Sequence, residues 1–142
     1  MKKRLLPLLC ASALALALTA CGAQQTTQTD IADAVALTFT DSGITAQDRT
    51  AGYEIDGTAL TITESGIYAV SGSCADGTIQ IKKGTTGVTL ILNGLDLTSG
   101  DSAAITCGKS GEVTILAADG TQNALSDTEQ NNDDNYPDNS DA

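Results

Sequence analysis

Four aspartates stand where the chain must turn. Asp76 and Asp119 each precede a glycine, Asp101 follows one, and Asp96 comes shortly after Asn93-Gly94. A single Asp-Gly pair is ordinary turn chemistry, because both residues tolerate the backbone geometry of a tight turn. Carboxylates that recur at the turns of a repeating chain would also line up on successive repeats, about 5 Å apart at strand spacing. Such carboxylates repel one another unless a cation lies between them, and Ca²⁺ accepts about six to eight oxygens in loose geometry. Asp96, Asp101, Asp76 and Asp119 are therefore candidate ligands, with Ca²⁺ as the expected cofactor. The run "NNDDNYPDN" is denser still in oxygen but lacks the glycine and the closing glutamate of an EF-hand loop. It reads as a solvated acidic tail.

Aromatic rings are a second resource, since a flat apolar face complements the C–H groups of a sugar ring. Tyr53 and Tyr136 lie in polar surroundings and are expected in loops, whereas Tyr68 matches Leu90 in the repeat and is expected in the core. Tyr53, Tyr136, Lys82 and Lys83 are the candidates to contact carbohydrate. The chain has no histidine, which removes the commonest general base, the commonest zinc ligand and any Ser-His-Asp triad. Cleavage of acidic pectin with the help of calcium would still need a base. Arg49, Lys82, Lys83 and Lys109 are available, but no spacing ties any of them to a carboxylate cluster. The chain is read as a binder and not an enzyme.

The groups must be carried by something, and the termini delimit it. Lys2, Lys3 and Arg4 precede an apolar run from Leu5 to Leu18 and then "LTAC", the plan of a signal peptide. The run is shorter than the ~20 residues of a membrane span. Residues 1–20 are expected to be removed and Cys21 to be lipidated, giving an extracytoplasmic protein anchored to the membrane. That cleavage takes three of the seven basic residues and none of the eighteen acidic ones, leaving a formal charge of −14. A nucleic-acid partner is excluded on charge. Residues 21–36 read as a flexible tether, 37–126 as the folded domain and 127–142 as an acidic tail or truncated loop. With Cys10 removed and Cys21 lipidated, Cys74 and Cys107 either pair in an oxidising exterior or remain free thiols.

Between the termini, short runs of Val, Ile, Leu and Thr alternate with period two and end in Gly, Asp, Asn or Ser. They are "ALTIT", "GIYAVSG", "GTIQIKKG", "GVTLILNG", "LDLTS", "AAITC" and "EVTILAADG". Related segments return at close to one spacing: Val88-Thr89-Leu90 and Val113-Thr114-Ile115 at 25 residues, Val70-Ser71-Gly72 and Leu92-Asn93-Gly94 at 22, Thr78–Ile81 and Ser102–Ile105 at 24. Stacked coils must reuse a pattern in this way. The expected fold is all-β, a short right-handed parallel β-helix of about three to four coils, each built from three short strands, with Asn93-Gly94 as a corner between two strands of one coil. Val88, Leu90, Leu92, Leu95, Leu97, Ile105, Val113 and Ile115 are expected to point inward. The alternative is an antiparallel β-sandwich with hairpins at Asn93-Gly94 and Asp119-Gly120.

Three segments in this order, "SGIYAVSG", "LILNGLDLTSGDSAAI" and "ADGTQNALSD", resemble the secreted bacterial carbohydrate-binding domain-containing β-helix family. The resemblance implies a non-catalytic, calcium-containing domain that binds plant polysaccharide, acidic pectin (polygalacturonate) foremost and cellulose as an alternative. It covers about residues 37–130, the N-terminal portion of such a protein. Members of the family continue through further coils, so a downstream β-helix segment is an expected partner. The rival class is a structural or adhesion module of the cell surface, or a truncated remnant without independent binding.

Overall fold

The computed structural model describes residues 31–47 and 51–128. Cys21, Arg49 and Tyr136 lie outside them, as do residues 1–20, expected to be a signal peptide, and most of the expected tail at 127–142.

Among the described residues the elements are strands: β1 (Val35–Thr40), β2 (Gly43–Ala46), β3 (Tyr53–Asp56), β4 (Ala59–Ile62), β5 (Gly66–Cys74), β6 (Thr78–Ile81), β7 (Val88–Ser99), β8 (Ile105–Cys107), β9 (Val113–Ala117) and β10 (Ala124–Asp127). They form two mixed sheets. In one, β1 pairs antiparallel with β2 and parallel with β5, β5 pairs parallel with β7, and β9 and β10 both lie parallel along β7. In the other, β3 is antiparallel to β4, and β4, β6 and β8 follow in parallel. The fold is all-β with a repeat in which a long strand alternates with a short one.

Parallel pairing turns the sequence repeat into rows of like side chains. Val35, Tyr68, Leu90 and Ile115 are successive partners, as are Leu37, Val70 and Leu92. In the second sheet Leu60 meets Ile79 and then Ile105, and Ile62 meets Ile81 and then Cys107. Alternation sends these residues to one side, where all but the exposed Ile115 join one core with Phe39, Leu95 and Leu97. A smaller cluster, Ala69, Ile91 and Ala118, forms on the other side of β5 and β7, with Ile31 and Ala34 packed on it. β1 begins at Val35, two residues before the expected domain boundary at 37, and Ile31 packs before that.

The 25-residue spacing is the true register: Val88, Thr89 and Leu90 pair with Val113, Thr114 and Ile115. The 24-residue spacing is not. Ile79 pairs with Ile105, a separation of 26. An error of two residues keeps every side chain on the same face, so alternation alone could not reveal it. Three short strands per repeat are also corrected to two, because "GVTLILNG" and "LDLTS" form the single strand β7.

Asn93-Gly94 is neither a hairpin nor a corner between separate strands. Val70 pairs with Leu92 but Gly72 with Leu95, so Asn93 and Gly94 together oppose Ser71 as a bulge in a continuous strand. One repeat later the same place is wider. Leu92 pairs with Ala117 and Asp96 with Ala124, so six residues, including Asp119-Gly120, oppose three. Both segments flanking Asp119-Gly120 run in the same direction, so it is not a hairpin either. Asn123 belongs to this wider loop, and its Oδ1 accepts the N–H groups of Gly94 at 2.9 Å and Leu95 at 2.8 Å. Asn123→Ala should remove an acceptor from both amides and lower unfolding free energy by about 1–2 kcal/mol. Asn123→Asp, which keeps the oxygen, should lose much less in the same urea titration; equal losses would show that the oxygen is not what matters.

Candidate functional site

The turns between strands are stacked like the strands, and one of them carries acid. Asp41 follows β1, Asp76 follows β5 and Asp101 follows β7, so the three occupy one corner on successive repeats. The first two act as links between repeats. Asp41 Oδ1 accepts the N–H of Ala75 at 2.8 Å, and Asp76 Oδ1 accepts the N–H of Gly100 at 3.0 Å. Thr128 extends the series by donating its hydroxyl to the Gly100 carbonyl at 2.6 Å. A carboxylate that caps an amide of the next repeat has a structural duty that any ion would share.

Of the four aspartates expected as ligands, Asp76 and Asp101 come to this corner. Asp96 is exposed on β7 between Ser73 and Ala124, and Asp119 is exposed in the wide loop between β9 and β10. Asp41 is the residue sequence reasoning missed. Its signal was the Asp-Ser-Gly after β1, an analogue of the Asp76-Gly77 turn. Among the described residues no group of three or more His, Cys, Asp or Glu side chains is placed to hold a metal ion. Calcium at this corner would thus need oxygens from a ligand in addition to those of the chain.

A second corner carries base. Lys82 and Lys83 follow β6 in an open depression of about 570 Å³ shared with Thr63, Glu64, Ser65, Thr85 and Thr86. Both lysines are exposed, and Thr85, at the base of the turn, is buried and directs its hydroxyl to the Thr63 carbonyl.

The tyrosines divide differently from expectation. Tyr53 is not a loop residue: it opens β3, pairs with Ile62, is half-buried and packs on the core. Tyr68 is in the core as expected, paired with Leu90, and its hydroxyl donates to the carbonyls of Gly52 at 2.9 Å and Glu64 at 3.0 Å. Cys74 and Cys107 are free thiols, the first buried and the second half-buried. They belong to different sheets.

The last repeat differs from those before it. Leu90 is 0% exposed, yet Ile115, its partner one repeat on, is 46% exposed. Leu97 is 0% exposed and its partner Leu125 is 43%. Of the eight residues expected to point inward, Val88, Leu90, Leu92, Leu95 and Leu97 are buried, Ile105 and Val113 are half-buried, and Ile115 is exposed. Their side of the array is the same; what is missing, among the described residues, is a further layer above them. Ile105, Cys107, Val113, Ile115 and Leu125 line a depression of about 350 Å³ there.

Residues 56–142 match the model of a family described as carbohydrate-binding domain-containing protein. No curated protein and no solved structure matches the chain.

Proposed function

Because the chain belongs to the carbohydrate-binding domain-containing protein family, we propose that it is a non-catalytic module for an acidic polysaccharide such as polygalacturonate, with calcium bridging the two. The family match is the observation that carries the carbohydrate reading. Charge supports the bridge: a protein with a formal charge of −14 after signal removal holds a polyanion only where cations intervene. The corner with Asp76 and Asp101 would hold the ion, and the sugar carboxylates would complete its shell. The parallel register of successive repeats supports a right-handed β-helix as the frame. Lipidation at Cys21 would tether the module to the outer side of a membrane.

The full chain should be retarded in a native gel containing polygalacturonate, and EDTA should reduce the retardation. Millimolar Ca²⁺ should raise its melting temperature, since a ligand specific to the folded state adds to apparent stability. A chain unaffected by the polymer, with a melt unmoved by Ca²⁺, would remove both parts of the proposal. A second reading, a structural module that pairs through its last repeat with a further β-coil, is favoured by the exposure of Ile115 and Leu125. It gives no retardation and a molecular mass that rises with concentration.

A further inference from the structure

Asn93 is the one asparagine of the chain that a glycine follows, and that pairing has a chemistry of its own. The backbone nitrogen of the following residue can attack the asparagine side-chain carbon and close a five-membered succinimide. A Cβ on that residue hinders the approach, and glycine has none. Asparagine counts among the thermolabile residues of proteins. Gly94 is exposed, with φ at +77° and nothing within 4 Å of a Cβ, so water reaches the pair.

One contact stands in the way. The Gly94 N–H, whose nitrogen would have to make the attack, donates to Asn123 Oδ1 at 2.9 Å, and the Leu95 N–H donates to the same oxygen at 2.8 Å. Asn123 is itself aimed: its Nδ2 donates to the Thr121 hydroxyl at 3.1 Å, and that hydroxyl donates to the Ala118 carbonyl at 2.7 Å. This chain of donors fixes which end of the Asn123 amide faces Gly94. Ala118 is anchored in turn, through its N–H to the Leu92 carbonyl at 2.9 Å and by packing with Ala69 and Ile91. An amide oxygen is too weak a base to take the proton, so the Gly94 nitrogen stays protonated and its peptide plane stays in place.

We propose that Asn93 is a site of spontaneous deamidation and that Asn123 holds the reaction back. Once the 118–123 loop lets go, hydroxide removes the Gly94 N–H proton and the nitrogen bonds to Asn93 Cγ. The Cγ–Nδ2 bond then breaks, and the departing nitrogen takes a proton from water to leave as ammonia. Water opens the imide at either carbonyl, giving aspartate or isoaspartate at position 93, with no oxidant or reductant involved. Isoaspartate routes the β7 backbone through an extra carbon inside the bulge, between the pairs Val70 with Leu92 and Gly72 with Leu95, and so displaces one half of β7 against β5. Either product adds a negative charge.

The test is incubation of the full chain in mildly alkaline buffer, followed by peptide mass mapping for the amide-to-acid mass gain and for isoaspartate at position 93. Wild type should react slowly while folded and much faster when unfolded in urea. Folded Asn123→Ala should react about fivefold faster than folded wild type, the factor that corresponds to a hydrogen bond worth about 1 kcal/mol in the barrier. The rate should rise with pH in each case, because the nitrogen must first lose its proton. Thr121→Val, which keeps Asn123 but releases its amide, should react at an intermediate rate and serves if Asn123→Ala does not fold. Asn93→Gln should show no gain at this position. Ile62→Val, a mild destabilisation in the other sheet, should stay close to wild type while folded. Folded Asn123→Ala and Thr121→Val chains no faster than wild type overturn the proposal. So does an Ile62→Val chain accelerated as much as Asn123→Ala, which would make general unfolding the cause. A wild-type chain that keeps its amide even in urea overturns the site itself.

Discussion

Replacing Gly72 with valine should leave little folded protein, and replacing it with alanine should cost about 3 kcal/mol or more. Gly72 lies between Phe39 and Leu95 in the sheet, with φ at +95°, and a Cβ there would stand 2.2 Å from the Phe39 carbonyl oxygen and 3.1 Å from its nitrogen. Neither atom can move without breaking the β1–β5 ladder. Gly94, in the bulge of the neighbouring strand, has a similar φ of +77° but nothing within 4 Å of a Cβ. Gly94→Ala should therefore cost only the conformational term, about 1 kcal/mol. Urea unfolding of the two alanine variants separates close approach from backbone strain. Equal losses would mean that β1 does not lie against β5 as described.

Leu97→Ala should cost about 3 kcal/mol, and Leu125→Ala less than about 1 kcal/mol. The two leucines are partners in one row, on β7 and β10. Leu97 is sealed between neighbouring rows, so its removal leaves a cavity, whereas Leu125 at 43% exposure leaves only a dent open to water. The full burial of such a side chain is worth on the order of 2 kcal/mol, so what Leu125 lacks is roughly half of that. Chemical denaturation of both variants measures the difference. A Leu125 variant as costly as the Leu97 variant would show that the last repeat is covered in solution.

Which parts of this arrangement could be read from the sequence depended on which signals are local. The strands β4 to β9 announced themselves by alternation, and Val88-Thr89-Leu90 against Val113-Thr114-Ile115 gave the register directly. β1 alternates as clearly, with Val35, Leu37 and Phe39 buried, but it adjoins a polar stretch that resembles a tether. β10 carries no alternation, all four residues being exposed, and is a strand only because β7 provides an edge for it. Asn93-Gly94 has hairpin residues, yet the parallel partner on either side holds the strand straight through it, and tertiary pairing overrides local preference. At the acidic corner, Asp41 was hidden because β2 and β3 lengthen the first interval: Ala75 lies 34 residues beyond Asp41, while Gly100 lies 24 beyond Asp76.

The strands β2 and β3 also bear on how the register is set. Thr40 and Gly43, and likewise Asp56 and Ala59, close their pairs across two residues, whereas the shortest parallel pairing, Ala59 with Thr78, closes across 18. Closing a short loop costs less chain entropy than closing a long one, and hairpins form in about 1–10 μs. The two antiparallel pairs are thus the least costly contacts of the fold, and each presents an aligned edge, β1 or β4, to the strand that comes next. In kinetic terms they are suited to act as a primer, an end at which local contacts can set the register that the later strands then extend.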